Sequence, residues 1–183
     1  MSRARAAVDK ALEIQPELPD AHLAFAYYYY WGYRDYERAL EELAIAERGF
    51  PSDSRILSLT GAIWRRQGKF EAAVDPWERA LELSPQDARV ALNVGITYRF
   101  LRKYEEANRY YDLSISLAPD QQVAYLEKAN NYISWLGDTK RARDVLERMP
   151  GNRRDVQEES FELWRLERNY QATARSNRRI RST

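Results

Sequence analysis

Four prolines constrain this chain more than any other feature: Pro51, Pro85 and Pro119 follow one another at intervals of 34 residues, and Pro16 stands 35 before Pro51. A fixed period of this length is the mark of a structural repeat, in which one small unit buries its apolar face against copies of itself. Each proline closes an amphipathic stretch, as in Ala80-Leu81-Glu82-Leu83-Ser84-Pro85 and Ser114-Ile115-Ser116-Leu117-Ala118-Pro119, and Ala11 to Pro16 has the same form. Proline has no amide hydrogen with which to continue a helix, so each marks a helix end and a turn.

A second regularity lies upstream. Twelve residues before a proline stands a small residue and eight before it a bulky one: Ala39 and Leu43, Ala73 and Trp77, Ala107 and Tyr111. Earlier still, apolar or small residues recur at i, i+3, i+4 and i+7, as Leu57, Thr60, Gly61 and Trp64 in one copy and Ala91, Val94, Gly95 and Tyr98 in the next. That spacing lines one face of a helix. The unit is therefore helix, turn, helix, and no segment has the alternation of a strand.

These residues resemble the tetratricopeptide repeat, most clearly from Ala88 to Pro119, where Val94-Gly95, Tyr98, Ala107, Tyr111 and Pro119 fall at the family's positions. The resemblance covers nearly the whole chain and implies an all-α fold, a right-handed superhelical solenoid of antiparallel helix-turn-helix repeats. It also places Ala26, Gly61, Gly95 and Ala129 where the two helices of a hairpin approach most closely. Residues 1–18 then form an isolated second helix of a preceding half repeat, and residues 19–53, 54–87, 88–121 and 122–150 form four full repeats. The first copy carries one extra residue near Trp31 to Asp35, and the fourth has a turn lengthened at Leu136-Gly137-Asp138. Residues 151–183 are expected to be a divergent terminal hairpin, with Phe161 and Trp164 inward, and a basic tail. A second helix without its first suggests either a cap or a piece of a longer protein. The wording of the first copy resembles the repeat regions of bacterial multidomain signalling proteins, where the array would be an accessory module.

By resemblance, the first helices of such an array line a concave groove. If the buried stripe holds positions 4, 7, 8 and 11 of each repeat, positions 2, 5, 9, 12 and 13 face the groove. These are Asp20, Leu23, Tyr27, Tyr30 and Trp31, then Arg55, Ser58, Ala62, Arg65 and Arg66. The third copy supplies Arg89, Leu92, Ile96, Arg99 and Phe100, and the fourth Val123, Leu126, Asn130, Ile133 and Ser134. The groove has an aromatic end, a basic middle and an apolar far end. Tyr, Trp and Arg dominate binding hot spots, and the guanidinium fork matches carboxylates and phosphates. The expected partner is a protein or peptide segment with acidic residues beside an aromatic or aliphatic anchor; solvated arginines and aromatics packed between repeats are the plainer account of the same residues. Some family members hold carboxyl-terminal peptides through a Lys and Asn clamp at positions 5 and 9. Ser58, Ala62, Leu92 and Ile96 occupy those places, so no such clamp is expected.

Composition narrows the remaining classes. In 183 residues, 44% hydrophobic and 31% charged side chains suit a folded, water-exposed array. Lys and Arg number 29 against 28 Asp and Glu, so no global field draws the chain to nucleic acid or an anionic membrane. No apolar run is long enough to span a bilayer and no signal-peptide core opens the chain, which makes a cytoplasmic location the expectation. Without cysteine, and with His22 as the sole histidine, the sequence offers neither a metal centre nor a catalytic constellation. No enzyme activity and no cofactor are predicted, and His22 is expected to pack. Pro76, inside a second helix, should kink it. The basic run from Arg175 to Arg181 makes nucleic acid a third reading, behind peptide binding and end-to-end self-assembly.

Overall fold

A computed structural model describes residues 2–151; the terminal hairpin and basic tail expected at 151–183 fall almost wholly outside the described residues. The lone amino-terminal helix is α1, Ser2–Ile14. Four hairpins follow: α2 Pro19–Tyr28 with α3 Tyr36–Gly49, α4 Ser54–Arg66 with α5 Phe70–Leu83, α6 Ala88–Phe100 with α7 Tyr104–Leu117, and α8 Gln122–Leu136 with α9 Thr139–Leu146. The two helices of each hairpin pack on each other, and each second helix packs on the first helix of the next hairpin. No strand interrupts the series among the described residues.

Local chemistry sets the boundaries. The side chains of Asp35, Asp53, Asp87 and Asp138 accept hydrogen bonds from the first amides of α3, α4, α6 and α9. Those amides have no partner within the helix, and a capping carboxylate supplies one. Between the helices of every hairpin one residue turns left-handed: Arg34 at φ 55°, Gly68 at 75°, Arg102 at 58° and Gly137 at 62°. The equivalent turn is thus made by glycine twice and arginine twice.

The extra residue of the first repeat is taken up inside its first helix. Residues Tyr29–Tyr33 form a π-helical turn, closed by the amide of Asp35 donating to the Tyr29 carbonyl at 3.1 Å. Such a turn is the usual way a helix accommodates one inserted residue. In the fourth repeat the difference also sits in the helix: α8 has 15 residues where α4 and α6 have 13, and only Gly137 and Asp138 separate it from α9. Pro76 does not end α5, which continues through it to Leu83 with the proline ring buried.

The core is a row of small clusters, one per hairpin interface. Leu23, Ala26, Ala39, Leu43 and Ala46 pack with Ile56, Leu59 and Ile63 from the next repeat. Trp77 lies beneath Gly61, where an added Cβ would stand 2.7 Å from the indole ring; Tyr111 lies beneath Gly95, where the distance would be 2.8 Å. These are the close approaches expected of the small positions. His22 is buried, with Nδ1 2.6 Å from Glu42 Oε2 and Nε2 donating to the Pro16 carbonyl at 2.8 Å. It ties α2 to α3 and to the preceding turn, a packing role.

Candidate functional site: an arginine-lined cleft between three repeats

The first helices α2, α4 and α6 lie so that residues from three repeats surround one cleft of about 290 Å³. Tyr27, Tyr30 and Trp31 form one wall, Ser58, Leu59, Ala62, Arg65 and Arg66 the floor, and Arg89 with Asn93 the other wall, with Trp77 below. The structure thus brings together eight of the groove positions expected from sequence: Tyr27, Tyr30, Trp31, Ser58, Ala62, Arg65, Arg66 and Arg89.

Their environments differ. Arg65 is deeply set: Nη2 donates to Asn93 Oδ1 at 2.7 Å, Nη1 to the Asn93 carbonyl at 3.2 Å, and the guanidinium lies over the Trp77 ring at 5.5 Å. Burial pushes its pKa below the ordinary arginine value and neighbouring Arg66 adds to the depression, against the opposing influence of Tyr30 and of the more distant Glu127. No carboxylate among the described residues lies within ion-pair distance of it. Arg66 is exposed at the cleft rim and lies over the Tyr30 ring at 6.0 Å; its hydrogen bond to Tyr30 raises its pKa. Arg89 is 64% exposed and makes only a loose pair with Asp87 at 3.8 Å. Burial raises the Tyr27 pKa, opposed by the positive charges of Arg89 and Arg55. Trp31 is 69% exposed, its ring edge-on to Tyr30 at 4.8 Å.

The other expected groove residues lie elsewhere, for identifiable reasons. Leu92 is 5% exposed and packs in the core with Ala107, Tyr111 and Ala124; Leu23 is buried too, and Ser58 is buried at the cleft floor. Position 5 therefore belongs largely to the interior, because a first helix is flanked by its hairpin mate and by neighbouring repeats, and its open stripe is narrower than half its surface. Tyr30, although it lines the cleft, is only 7% exposed and joins the first core cluster, with Tyr29 half-buried against it. Ile96 packs on the cluster around Leu92, and Leu126 and Ile133 on the cluster of the fourth hairpin, all half-buried. Asn130 and Phe100 are exposed, the latter stacked on Phe70 at 4.8 Å. Arg55 is held at the far end of α4 by Asp53 at 2.6 Å and Asp20 at 3.2 Å.

Arg99 shows what position 12 does. Its Nη2 donates to Glu127 Oε2 at 2.9 Å, both side chains 23% exposed. Arg65 to Asn93 and Arg99 to Glu127 are the same contact one repeat apart, each joining residues 28 apart in sequence. The slot between adjacent repeats is filled by a carboxylate in one case and by an amide in the other. Asn93 is a cleft residue that the groove register missed, since it falls outside positions 2, 5, 9, 12 and 13; its 28-residue offset from Arg65 is the available signal.

Among the described residues no group of three or more His, Asp or Glu could hold a metal ion, and no helix is long and apolar enough to cross a membrane.

Residues 88–121 match the family model for the tetratricopeptide repeat. That segment is a tetratricopeptide repeat, and the hairpins stacked on either side of it, with the small residues over buried aromatics, give the described residues a tetratricopeptide-like helical fold. It is similar in fold to a solved structure of Pseudomonas aeruginosa PilF, at 24% identity over 94% of this chain and 79% of that one, with a TM-score of 0.75. It is also similar to YrrB, a TPR protein with an unusual peptide-binding site, at 18% identity over 91% and 83% of the two chains and a TM-score of 0.71. MamA gives 19% identity over 90% and 89%, with a TM-score of 0.66. No curated protein matches the sequence.

Proposed function

We propose that the chain is a protein-binding module whose first-helix groove takes a segment of another protein. An anionic group of that segment docks at Arg65, Arg66 and Arg89, and an aromatic or aliphatic side chain rests on the shelf of Tyr27 and Trp31. One observation carries the proposal: Arg65 is a half-buried guanidinium lining the cleft with no carboxylate within ion-pair distance among the described residues, whereas its counterpart Arg99 has Glu127. A buried charge is costly unless it is paired, and a ligand that brings the missing anion gains the whole pairing while relieving that cost. Exposed Trp31 supplies a large rigid contact surface at small entropic loss. The fold-level likeness to YrrB, which is described as having a peptide-binding site, agrees with this use of the solenoid.

Affinity capture from the source cell, read by mass spectrometry, tests the reading. The double variant Arg66→Glu and Arg89→Glu changes two exposed side chains, so circular dichroism should stay at the wild-type value while the captured partners disappear. Capture that survives the double change would put the contact surface elsewhere.

A further inference from the structure

Three cations and no carboxylate line the cleft. Every other Lys or Arg of the described first helices is matched by an acid of the chain itself: Arg55 by Asp53 and Asp20, Arg99 by Glu127, and Lys128 by Asp112. Of the cleft cations Arg89 alone has an acid within ion-pair reach, Asp87 at 3.8 Å, which leaves Arg65 and Arg66 in excess among the described residues. One incoming carboxylate carries a single charge, and the Arg99 and Glu127 rung shows that one carboxylate satisfies one guanidinium in this slot. A phosphate monoester carries about −1.5 to −2 at neutral pH and offers three acceptor oxygens, the charge and valence that a cluster of arginines on opposing walls can meet together.

Resting on the peptide-groove reading above, we infer that the anion taken by the Arg65, Arg66 and Arg89 cleft is the phosphate monoester of a phosphorylated side chain, not a plain Asp or Glu. Arg65 stands at the floor, already aligned by Asn93, and Arg66 and Arg89 close on the phosphate from the rim. Asn93 is the residue that keeps the seat open, because a carboxylate at its place would neutralise Arg65 from within, as Glu127 neutralises Arg99. A nucleic-acid strand fits less well. It needs a succession of phosphate contacts along its track, and on either side of the cleft the cations of the first helices are already paired.

Fluorescence anisotropy with labelled degenerate peptide pools, identical except for a central Ser, Glu, phosphoserine or phosphotyrosine, tests this, with a mixed-sequence RNA oligomer as a further arm. One of the phosphorylated pools should bind about tenfold or more tighter than the Glu pool, a difference of the size that charge-assisted pairing supplies. Arg66→Gln and Arg89→Gln, both at exposed positions, should each reduce that preference, and Asn93→Glu should abolish it while circular dichroism stays unchanged. Equal binding of the Glu and phosphorylated pools would overturn the phosphate assignment and leave the acidic-peptide reading in place. Absence of binding to every pool would remove both, and preference for the RNA would replace the protein ligand.

Discussion

At the scale of single residues, the tightest constraint is the contact between the small position of a first helix and the aromatic of its mate. A Cβ at Gly61 would stand 2.7 Å from the Trp77 indole, which is almost fully buried, so the ring or the backbone would have to shift. Gly61→Val should therefore destabilise the protein, at the upper end of the roughly 1–3 kcal/mol typical of overpacking, measured by urea denaturation. An unchanged midpoint would mean that the hairpin can open without loss. Glycine at 61 and 95 was legible as a close-approach position through the resemblance to the tetratricopeptide repeat, which puts a small residue where the two helices of a hairpin meet. Asp53 offers a second test. Its hydrogen bond from the Arg55 side chain is the largest influence on its carboxyl, followed by opposing burial and by the capped Arg55 amide, and it holds the pKa below the usual 3.8. A group depressed in the folded state stabilises above its unfolded pKa and loses that contribution as pH falls through the folded value. The wild type should thus lose an increment of stability below about pH 4 that Asp53→Asn lacks throughout, visible as converging thermal midpoints at acid pH.

At the scale of elements, the period predicts the hairpin helices because local signals mark many of their ends: an aspartate cap on α3, α4, α6 and α9, a proline in the first turn of α2, and a left-handed residue after each first helix. The two irregular first helices were legible only as a count. One residue too many between Pro16 and Pro51 says that something must bulge; whether a loop lengthens or a helix widens depends on which backbone groups can still be satisfied. Here the amide of Asp35 reaches the Tyr29 carbonyl and the helix widens. Deleting Gly32, exposed in that π turn, should restore a regular helix with stability equal to the wild type or higher. It should also redirect Trp31 and so weaken ligand capture, and a variant that keeps full capture would remove Trp31 from the docking shelf.

At the scale of the molecule, each hairpin is packed against its immediate neighbours, so stability should be distributed along the array and not pooled in one centre. Ala142 is fully buried between α8 and α9. Ala142→Asp places an unpaired charge there and should open the fourth hairpin first. Hydrogen exchange should show protection lost over residues 122–149 while α4 and α5 stay protected, and uniform loss across the chain would show that the repeats unfold as one unit. The cleft belongs to this scale as well: Tyr27, Arg66 and Arg89 come from three different repeats and meet only because the first helices stand side by side.

What the sequence alone determined is the arithmetic of the array: the period, the helix pairs, the small positions over buried aromatics, and arginine with aromatic side chains on the first helices. These are local or nearest-neighbour properties, written into spacing. What only the tertiary structure decided is which of those side chains remain available. Leu92 and Tyr30 are drawn into the interior because neighbouring repeats cover more of each first helix than an isolated helical wheel shows. Arg55 and Arg99 are claimed by acids from their own or adjacent repeats, and Arg65, with an amide opposite it where its counterpart has a carboxylate, is left without an ion-pair partner among the described residues. The physical reason is that pairing across a repeat interface depends on two side chains 28 residues apart meeting in one slot, and that meeting exists only when the hairpins are stacked.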